Sequence, residues 1–147
     1  KEIFETLKSH SCKIIFPEDV LIGKNLDDKP QIKEINNIKD DDIILDIGPK
    51  TLDKVKDIIE NSETVLWNGP AGYFENPNFA NGSYNIAKAI TKKNKNNSIY
   101  SVVGGGDTIA LINKIKLIEN FNFVSTAGGA FLEYLEGKEL PGIKALN

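Results

Sequence analysis

The sequence predicts an α/β fold: a Rossmann-like, three-layer arrangement in which a parallel sheet carries helices on both faces. Short runs rich in β-branched residues alternate with segments of helical periodicity, which is the order typical of βαβ units. Most of these runs are almost continuously apolar, as expected of strands buried on both faces. Five strands are predicted, over residues 12–16, 43–47, 64–67, 99–103 and 121–124.

The segments between these strands have helical patterns. After the second strand, Thr51 is expected to cap a helix that places Leu52, Val55 and Ile59 on one face. A helix is predicted to end near residue 93, and the fourth strand leads into a helix carrying Leu111, Ile115 and Ile118. A last short helix is predicted over 130–135. Residues 17–42 are loose and polar, with one weak strand signal at 31–35.

The start of the chain predicts that it is a piece of a longer protein. Residues 1–9 are predicted to form a helix without a strand before it, and Lys1 is neither an initiator methionine nor part of a signal peptide. We therefore expect a sheet truncated at its N-terminal strand. The exposed edge of such a sheet would allow the fragment to dimerise.

Composition excludes several classes of protein. The chain has 147 residues and a net charge of −3, with no apolar run long enough for a membrane span, which predicts one soluble domain. Cys12 and His10, the single cysteine and the single histidine, cannot form a disulfide framework or a zinc site, which fits the reducing cytoplasm. All 18 basic residues are lysines interspersed with acids, so neither a nucleic-acid partner nor a membrane partner is expected.

Three glycine-rich loops follow predicted strands, where ligands bind in open parallel sheets. In the first loop, Gly104 to Gly106 precede Asp107 and Thr108 at the start of a helix. Unpaired amides and the helix dipole favour a phosphate there, and Asp107 could hold Mg²⁺ while Thr108 donates to a phosphate oxygen. The alternative is a tight turn in which Asp107 only caps the helix.

The second loop spans residues 125–130, and Gly128 and Gly129 lie before another apolar helix. Alone it could be a simple turn. Together, the two helix starts would face one cleft.

The third loop spans residues 67–75. Its Asn68 could offer an amide to a phosphate, Pro70 stiffens the turn, and Glu75 could accept hydrogen bonds from ribose hydroxyls. The alternative is that Asn68 makes a local turn bond and Glu75 is merely an exposed charge.

Other chemistry is not favoured. Neither the dinucleotide fingerprint G-x-G-x-x-G nor the P-loop G-x-x-x-x-G-K-[ST] occurs. His10 is interpreted as a surface or turn residue and Cys12 as a small buried hydrophobe. Trp67 and Phe74 are interpreted as core or loop-packing residues, with stacking on an adenine as the alternative.

Four separated motifs resemble the phosphoglycerate kinase family, in the family's order and over roughly the last hundred residues. They are LDIGPKT (45–51), VLWNGPAGYFENPNFANGS (65–83), SVVGGGDT (101–108) and STAGGAFLEYLEGKELPG (125–142). The resemblance implies an incomplete carboxyl-terminal, nucleotide-binding domain, residues 1–147, of a cytoplasmic glycolytic kinase. The amino-terminal, phosphoglycerate-binding domain is absent from this sequence.

The family transfers phosphate between 1,3-bisphosphoglycerate and ADP, giving 3-phosphoglycerate and ATP, with Mg²⁺. The resemblance implies that Gly105, Gly106, Asp107 and Thr108 contact the nucleotide phosphates and that Asp107 also binds the metal. It implies that Asn68 and Pro70 line the nucleotide site and that Glu75 binds the ribose. It also implies that Gly128 and Gly129 contact the phosphoryl group during its transfer. Full-length members are expected to be monomers. The present chain is expected to bind nucleotide without turnover, because 3-phosphoglycerate binds through the absent lobe.

Three positions depart from the family's pattern. Ala127 stands where a third glycine is usual, Tyr73 where a smaller aliphatic residue is common, and Ile44 where many members have glycine near the adenine. A nucleotide-sensing module without transferase activity, and an α/β domain whose glycines serve packing alone, remain as alternatives.

Overall fold

The computed structural model describes Glu5, residues 12–96 and residues 98–146. The helix predicted over 1–9 lies outside the described residues apart from Glu5, and His10 lies outside them as well. The described chain is α/β, with two three-stranded sheets of different kinds.

The first sheet is antiparallel, with strand order β2-β1-β3. Its strands are β1 (Asp19–Gly23), β2 (Gln31–Glu34) and β3 (Ile43–Ile47). The strand predicted over 43–47 and the weak strand at 31–35 are confirmed, but β3 pairs antiparallel with β1 and is not part of the parallel sheet. Strand β1 lies in the stretch that the sequence had indicated to be loose.

The strand predicted over 12–16 is wrong, because residues 12–17 have no regular structure. These residues pair with no strand of the described chain, so their apolar side chains stay accessible, with Ile14 36% and Phe16 60% exposed. Cys12 is exposed for the same reason, and the prediction that it is buried is wrong too.

The second sheet is parallel, with strand order β4-β5-β6. Its strands are β4 (Thr64–Asn68), β5 (Tyr100–Gly104) and β6 (Phe123–Val124). Leu66 is paired with Val102, which in turn is paired with Phe123. The three predicted strands therefore exist and form a parallel sheet.

In the described part of the chain, five helices connect and flank the strands. They are α1 (Pro49–Glu60), α2 (Asn81–Asn94), α3 (Gly106–Lys114), α4 (Gly129–Leu135) and α5 (Pro141–Lys144). Helix α3 ends before Ile115, and Ile118 begins a separate 3-10 turn, so the longer helix predicted there is wrong. The N-cap of α1 is Gly48, not Thr51, which lies inside the first turn.

One hydrophobic core joins helices α1, α2 and α3 to the parallel sheet. Leu52 and Ile59 of α1, Ile90 of α2 and Leu111 and Ile112 of α3 are all buried in it. Trp67 and Phe74 belong to the same core, as the sequence predicted, and the Trp67 and Phe121 rings lie 6.4 Å apart. Among the described residues, no helix is both long and apolar enough to cross a bilayer.

Candidate functional site

The three glycine-rich loops lie at one edge of the parallel sheet. Because β4, β5 and β6 run in the same direction, their carboxyl ends share an edge, and the loops begin there. The Ser125 amide donates to the Val103 carbonyl at 2.8 Å, which holds the second loop beside the end of β5. The convergence predicted from the sequence is therefore found.

The first loop needs glycine for two different reasons. Gly105 is the N-cap of α3 and has φ +86°, a left-handed conformation that other residues adopt only with strain. A Cβ on Gly105 would also lie 3.0 Å from Asn68 Oδ1. A Cβ on Gly106 would have no atom within 4 Å, so this backbone faces open space.

Asp107 does not cap the helix that it helps to open. It is the second residue of α3 and is exposed, and no side chain of the described residues caps this helix. Within the described residues, no hydrogen bond or ion pair uses the Asp107 carboxylate. The alternative in which Asp107 serves only as a cap therefore gains no support.

Thr108 ties the first loop to the third. Its side chain is fully buried, and its hydroxyl accepts a hydrogen bond from the Gly69 amide at 2.7 Å. Sequence patterns gave no sign of this bond, since the two residues are 39 positions apart. The contact predicted between Thr108 and a phosphate stays a prediction.

The third loop is fixed on several sides and leaves its candidate ligands accessible. The Trp67 Nε1 donates to the Gly69 carbonyl at 2.9 Å, and the Ala71 amide donates to Ser83 Oγ at 2.8 Å. Asn68 and Glu75 are exposed and Pro70 is half-buried. The turn bond considered for the Asn68 amide group is not seen in the described part of the chain.

Asp46 packs against this loop and binds the start of α2, a role that sequence reasoning missed. Its carboxylate is buried and accepts hydrogen bonds from the Gly82 and Ile47 amides, each at 2.8 Å. A Cβ on Gly72 would lie 2.5 Å from Asp46 Oδ1, so a side chain at that loop position is excluded. Burial raises the pKa of the Asp46 carboxyl, and the two amides oppose the rise. An acid within an otherwise apolar strand was the available signal.

The second loop presents another glycine-led helix start. Gly128 is the N-cap of α4 with φ +57°, and a Cβ on Gly128 or Gly129 would meet no atom within 4 Å. Ser125 is buried, and Ala127, Gly128 and Gly129 are exposed. Both helix starts are thus open toward the space outside the sheet edge.

The residues of the three loops fit a metal ion that is bound to substrate phosphates better than a metal ion held by protein side chains alone. No group of three or more histidine, cysteine or acidic side chains is positioned to hold an ion in the described part of the chain. Mg²⁺ commonly uses one or two carboxylates together with substrate phosphates, which fits the single carboxylate of Asp107 beside the open Gly106 backbone.

An α/β protein with glycine-led helix starts gathered at the carboxyl edge of a parallel sheet belongs to a broad class of ligand-binding folds. Comparison with known proteins narrows the class. The sequence model of the phosphoglycerate kinase family matches residues 1–138. The chain belongs to the phosphoglycerate kinase family.

Individual relatives agree with this assignment. The phosphoglycerate kinase of Wolbachia pipientis from Culex pipiens is 44% identical over 146 residues, which is 98% of this chain and 37% of the relative. That of Orientia tsutsugamushi strain Ikeda is 45% identical over 98% of this chain and 36% of the relative. The chain therefore spans just over a third of the length of these relatives.

Solved structures show the same likeness. The phosphoglycerate kinase from Coxiella burnetii matches with a TM-score of 0.88 and 39% identity, over 97% of this chain and 36% of that one. The enzyme from Pyrococcus horikoshii OT3 matches with a TM-score of 0.78 and 32% identity, over 97% of this chain and 34% of that one.

Proposed function

We propose that this chain supplies the nucleotide-phosphate site of a cytoplasmic glycolytic enzyme that transfers a phosphoryl group between 1,3-bisphosphoglycerate and ADP, giving 3-phosphoglycerate and ATP. Family membership supports the reaction class. The observation that carries the site is the pair of uncapped helix starts, at Gly105 and Gly128, beside neighbouring parallel strands. The proposed domain is an incomplete carboxyl-terminal, nucleotide-binding one.

The backbone of the first loop is proposed to bind the nucleotide phosphates. The amides of Gly105, Gly106 and Asp107 lie at the positive end of α3, where phosphate oxygens can approach closely because Gly106 has open space around it. Asp107 would hold Mg²⁺ that is bound to the same phosphates. The ion would neutralise charge on the phosphates during transfer.

The other two loops are proposed to complete the site. Asn68 and Pro70 would line it and Glu75 would bind the ribose. The amides of Gly128 and Gly129 would stabilise the phosphoryl group in transit, since phosphoryl transfer depends mainly on positioning and on charge stabilisation. The Thr108 hydroxyl holds Gly69 and so fixes the third loop relative to the first.

The sequence contains no arginine, so no side chain here can make a bidentate clamp on a carboxylate or phosphate. We therefore propose that 3-phosphoglycerate is bound by another part of the polypeptide. The chain alone is expected to bind Mg-ADP weakly and to show no turnover.

Calorimetric titration with Mg-ADP tests the site, using Gly105→Ala and Gly137→Ala as a matched pair. Both glycines have positive φ, +86° and +79°, but Gly137 lies at the far end of α4 and its added Cβ meets nothing within 4 Å. We expect Gly105→Ala to weaken binding at least tenfold, and Gly137→Ala to leave it unchanged.

The alternatives give other results. Absence of heat at millimolar Mg-ADP, or equal losses in both variants, would favour the domain whose glycines serve packing alone. A chimera in which this chain replaces the matched 146 residues of the Wolbachia relative then separates a kinase from a nucleotide-sensing module. ATP formation from 1,3-bisphosphoglycerate supports the kinase, and nucleotide binding without turnover supports the sensor.

A further inference from the structure

The sequence contains two Asn-Gly pairs, Asn68-Gly69 and Asn81-Gly82. Asn68 ends strand β4 in the third loop of the candidate site, and Asn81 is the first residue of α2. Both asparagines are exposed. Asparagine is a chemically labile residue, and it is most labile before glycine, which has no side chain to shield its amide nitrogen and whose backbone rotates freely.

The reaction of such a pair is deamidation. The glycine amide nitrogen loses its proton to a base in the solvent and attacks the asparagine Cγ. A bond forms between that nitrogen and Cγ, the bond from Cγ to Nδ2 breaks, and Nδ2 takes up a proton from water and leaves as ammonia. Water then opens the resulting cyclic imide at either of its two carbonyls and yields aspartate or isoaspartate. The overall change is therefore the addition of water and the loss of ammonia.

In the folded chain, hydrogen bonds hold the Gly69 peptide away from this reaction. The Gly69 amide donates to Thr108 Oγ1 at 2.7 Å, and the Thr108 side chain is fully buried. The Gly69 carbonyl accepts a hydrogen bond from Trp67 Nε1 at 2.9 Å. The Asn68 side chain lies against the first loop, since a Cβ on Gly105 would be 3.0 Å from Asn68 Oδ1. Attack on Asn68 therefore requires the bond to Thr108 to open and the carboxamide to turn away from the first loop.

The second pair is held in the same way by a different element. The Gly82 amide donates to Asp46 Oδ2 at 2.8 Å, and both Gly82 and Asp46 are buried. The Asn81 carboxamide is also held, because its Oδ1 accepts a hydrogen bond from Asn85 Nδ2 at 2.8 Å. Each glycine amide is thus bound to a buried side-chain oxygen that is distant in sequence, 39 positions away in one pair and 36 in the other.

We propose that Asn68 is a latent deamidation site and that the buried hydroxyl of Thr108 keeps it unreacted by holding the Gly69 amide. Asn81 is a second latent site, which Asp46 protects through Gly82. Backbone amides in proteins bind mostly to backbone carbonyls. The observation that carries the inference is therefore the recurrence, since both Asn-Gly pairs of the sequence have the glycine amide on a buried side-chain oxygen.

Deamidation of Asn68 would damage the candidate site in two ways. Aspartate would place a negative charge beside the exposed backbone of the first loop, where it would repel a phosphate. Isoaspartate would add one carbon to the main chain before Gly69 and so would shift the Gly69 amide away from Thr108. The effect on phosphate binding rests on the proposed function, whereas protection of Asn68 by Thr108 does not depend on it.

Timed incubation of this chain in mildly alkaline buffer, followed by peptide mass spectrometry, measures the conversion of Asn68 and Asn81 separately. Both should convert at least tenfold more slowly in the folded chain than in the chain unfolded by urea. Thr108→Val should speed the conversion of Asn68 about tenfold, because loss of one hydrogen bond raises the fraction of free Gly69 amide by about that factor. It should leave Asn81 unchanged. Thr108→Ser keeps the oxygen and should restore slow conversion, and Thr126→Val, an exposed change in the second loop, should have no effect.

An unchanged rate at Asn68 in Thr108→Val would overturn the proposal. Equal acceleration at Asn68 and Asn81 in that variant would overturn it as well, because unfolding of the whole chain would then set the rate. Equally rapid conversion of Asn68 in the folded and the unfolded chain would be a third contradiction.

Calorimetry tests the consequence for the site separately. Asn68→Asp should weaken Mg-ADP binding, and Asn81→Asp, the matched change outside the three loops, should leave it unchanged. Equal binding by the two variants would contradict the effect on phosphate binding. Absence of Mg-ADP binding by the unsubstituted chain would contradict the proposed nucleotide site, whereas the conversion rates, which need no ligand, decide the protection by Thr108 in either case.

Discussion

Helices α1 and α3 begin in the same way but differ in what binds their first amides. Each follows a strand, has glycine at its N-cap, and receives no capping hydrogen bond from that residue. At α1, the buried carboxylate of Asp19 accepts hydrogen bonds from the Lys50 and Thr51 amides at 3.1 and 2.8 Å. At α3, no side chain of the described residues takes that position.

The two N-cap regions also use glycine for opposite purposes. A Cβ on Gly48 would lie 2.3 Å from the Asp19 carboxyl carbon, so this glycine makes room for an anion that the protein itself supplies. A Cβ on Gly106 would meet no atom within 4 Å, so the backbone there is open, as the proposed phosphate site requires. A helix start closed by a protein carboxylate is structural, and one left open is a candidate binding site.

The largest expected effect on stability is at the start of α1, where the Asp19 carboxylate binds the first amides. Asp19→Ala leaves the first amides of α1 buried without partners and should lower the free energy of unfolding by about 2–3 kcal/mol. Urea unfolding measures the loss. Asp53→Ala, which removes an exposed carboxylate from the same helix, should cost far less, and equal losses would show that the Asp19 cap adds little.

A smaller loss of stability is expected at Thr108, whose hydroxyl links the start of α3 to the third loop. Thr108→Val keeps the buried volume but removes the acceptor of the Gly69 amide, so it should lower the free energy of unfolding by about 1–2 kcal/mol. It should also weaken Mg-ADP binding by loosening the third loop. Thr126→Val, an exposed change in the second loop, is the stability control. An unchanged unfolding free energy for Thr108→Val would mean that solvent or another group replaces the bond.

Acid should affect the two buried carboxylates in opposite senses. Burial raises the pKa of the Asp19 carboxyl, but hydrogen bonds from Thr51 and the Lys50 amide outweigh it, so the pKa lies below its usual range. The stability from Asp19 is therefore full above about pH 4 and is lost as pH falls through the lowered pKa. For Asp46, whose pKa is raised, stability is gained as pH falls through that pKa.

Unfolding curves of Asp19→Asn and Asp46→Asn between pH 7 and pH 3 test these signs. Relative to the unsubstituted chain, Asp19→Asn should lose less stability on acidification, and Asp46→Asn should gain less. The same direction of change in both variants would contradict the assignment of Asp19 as a stabilising cap.

The smallest effect on stability is expected at Asp107. Asp107→Ala removes an exposed carboxylate that makes no hydrogen bond in the described chain, so the free energy of unfolding should change by less than about 0.5 kcal/mol. Its effect on binding should be larger, with Mg-ADP weakened more than metal-free ADP in calorimetry. Equal losses for the two ligands would show that Asp107 does not hold the metal.

The sequence predicted the positions of the strands better than it predicted which strands pair with each other. The β-branched run at Ile43–Ile47 was enough to predict a strand, but its antiparallel pairing depends on β1, which begins with Asp19 and ends with Gly23. Those end residues are typical of turns, and they masked the apolar centre of β1. Residues 12–16 show the opposite error, because an apolar run that pairs with no strand of the described residues stays irregular.

The site could be predicted in outline for a physical reason. Parallel strands place their following loops at one edge, so the glycine loops had to meet. The supporting bonds could not be predicted in this way. Asp19 with Thr51, Asp46 with Gly82 and Thr108 with Gly69 join residues 32, 36 and 39 positions apart, and no local pattern encodes such contacts.

The bond between Thr108 and Gly69 also limits which residues can occupy position 108. Serine would keep the oxygen but leave a methyl-sized void, valine would fill the space but lose the oxygen, and any longer side chain would have to displace core atoms. Threonine and serine are therefore the two residues that can occupy position 108 and keep the hydrogen bond. A chain carrying any other residue there would leave the Gly69 amide without this acceptor and would need another group to bind it.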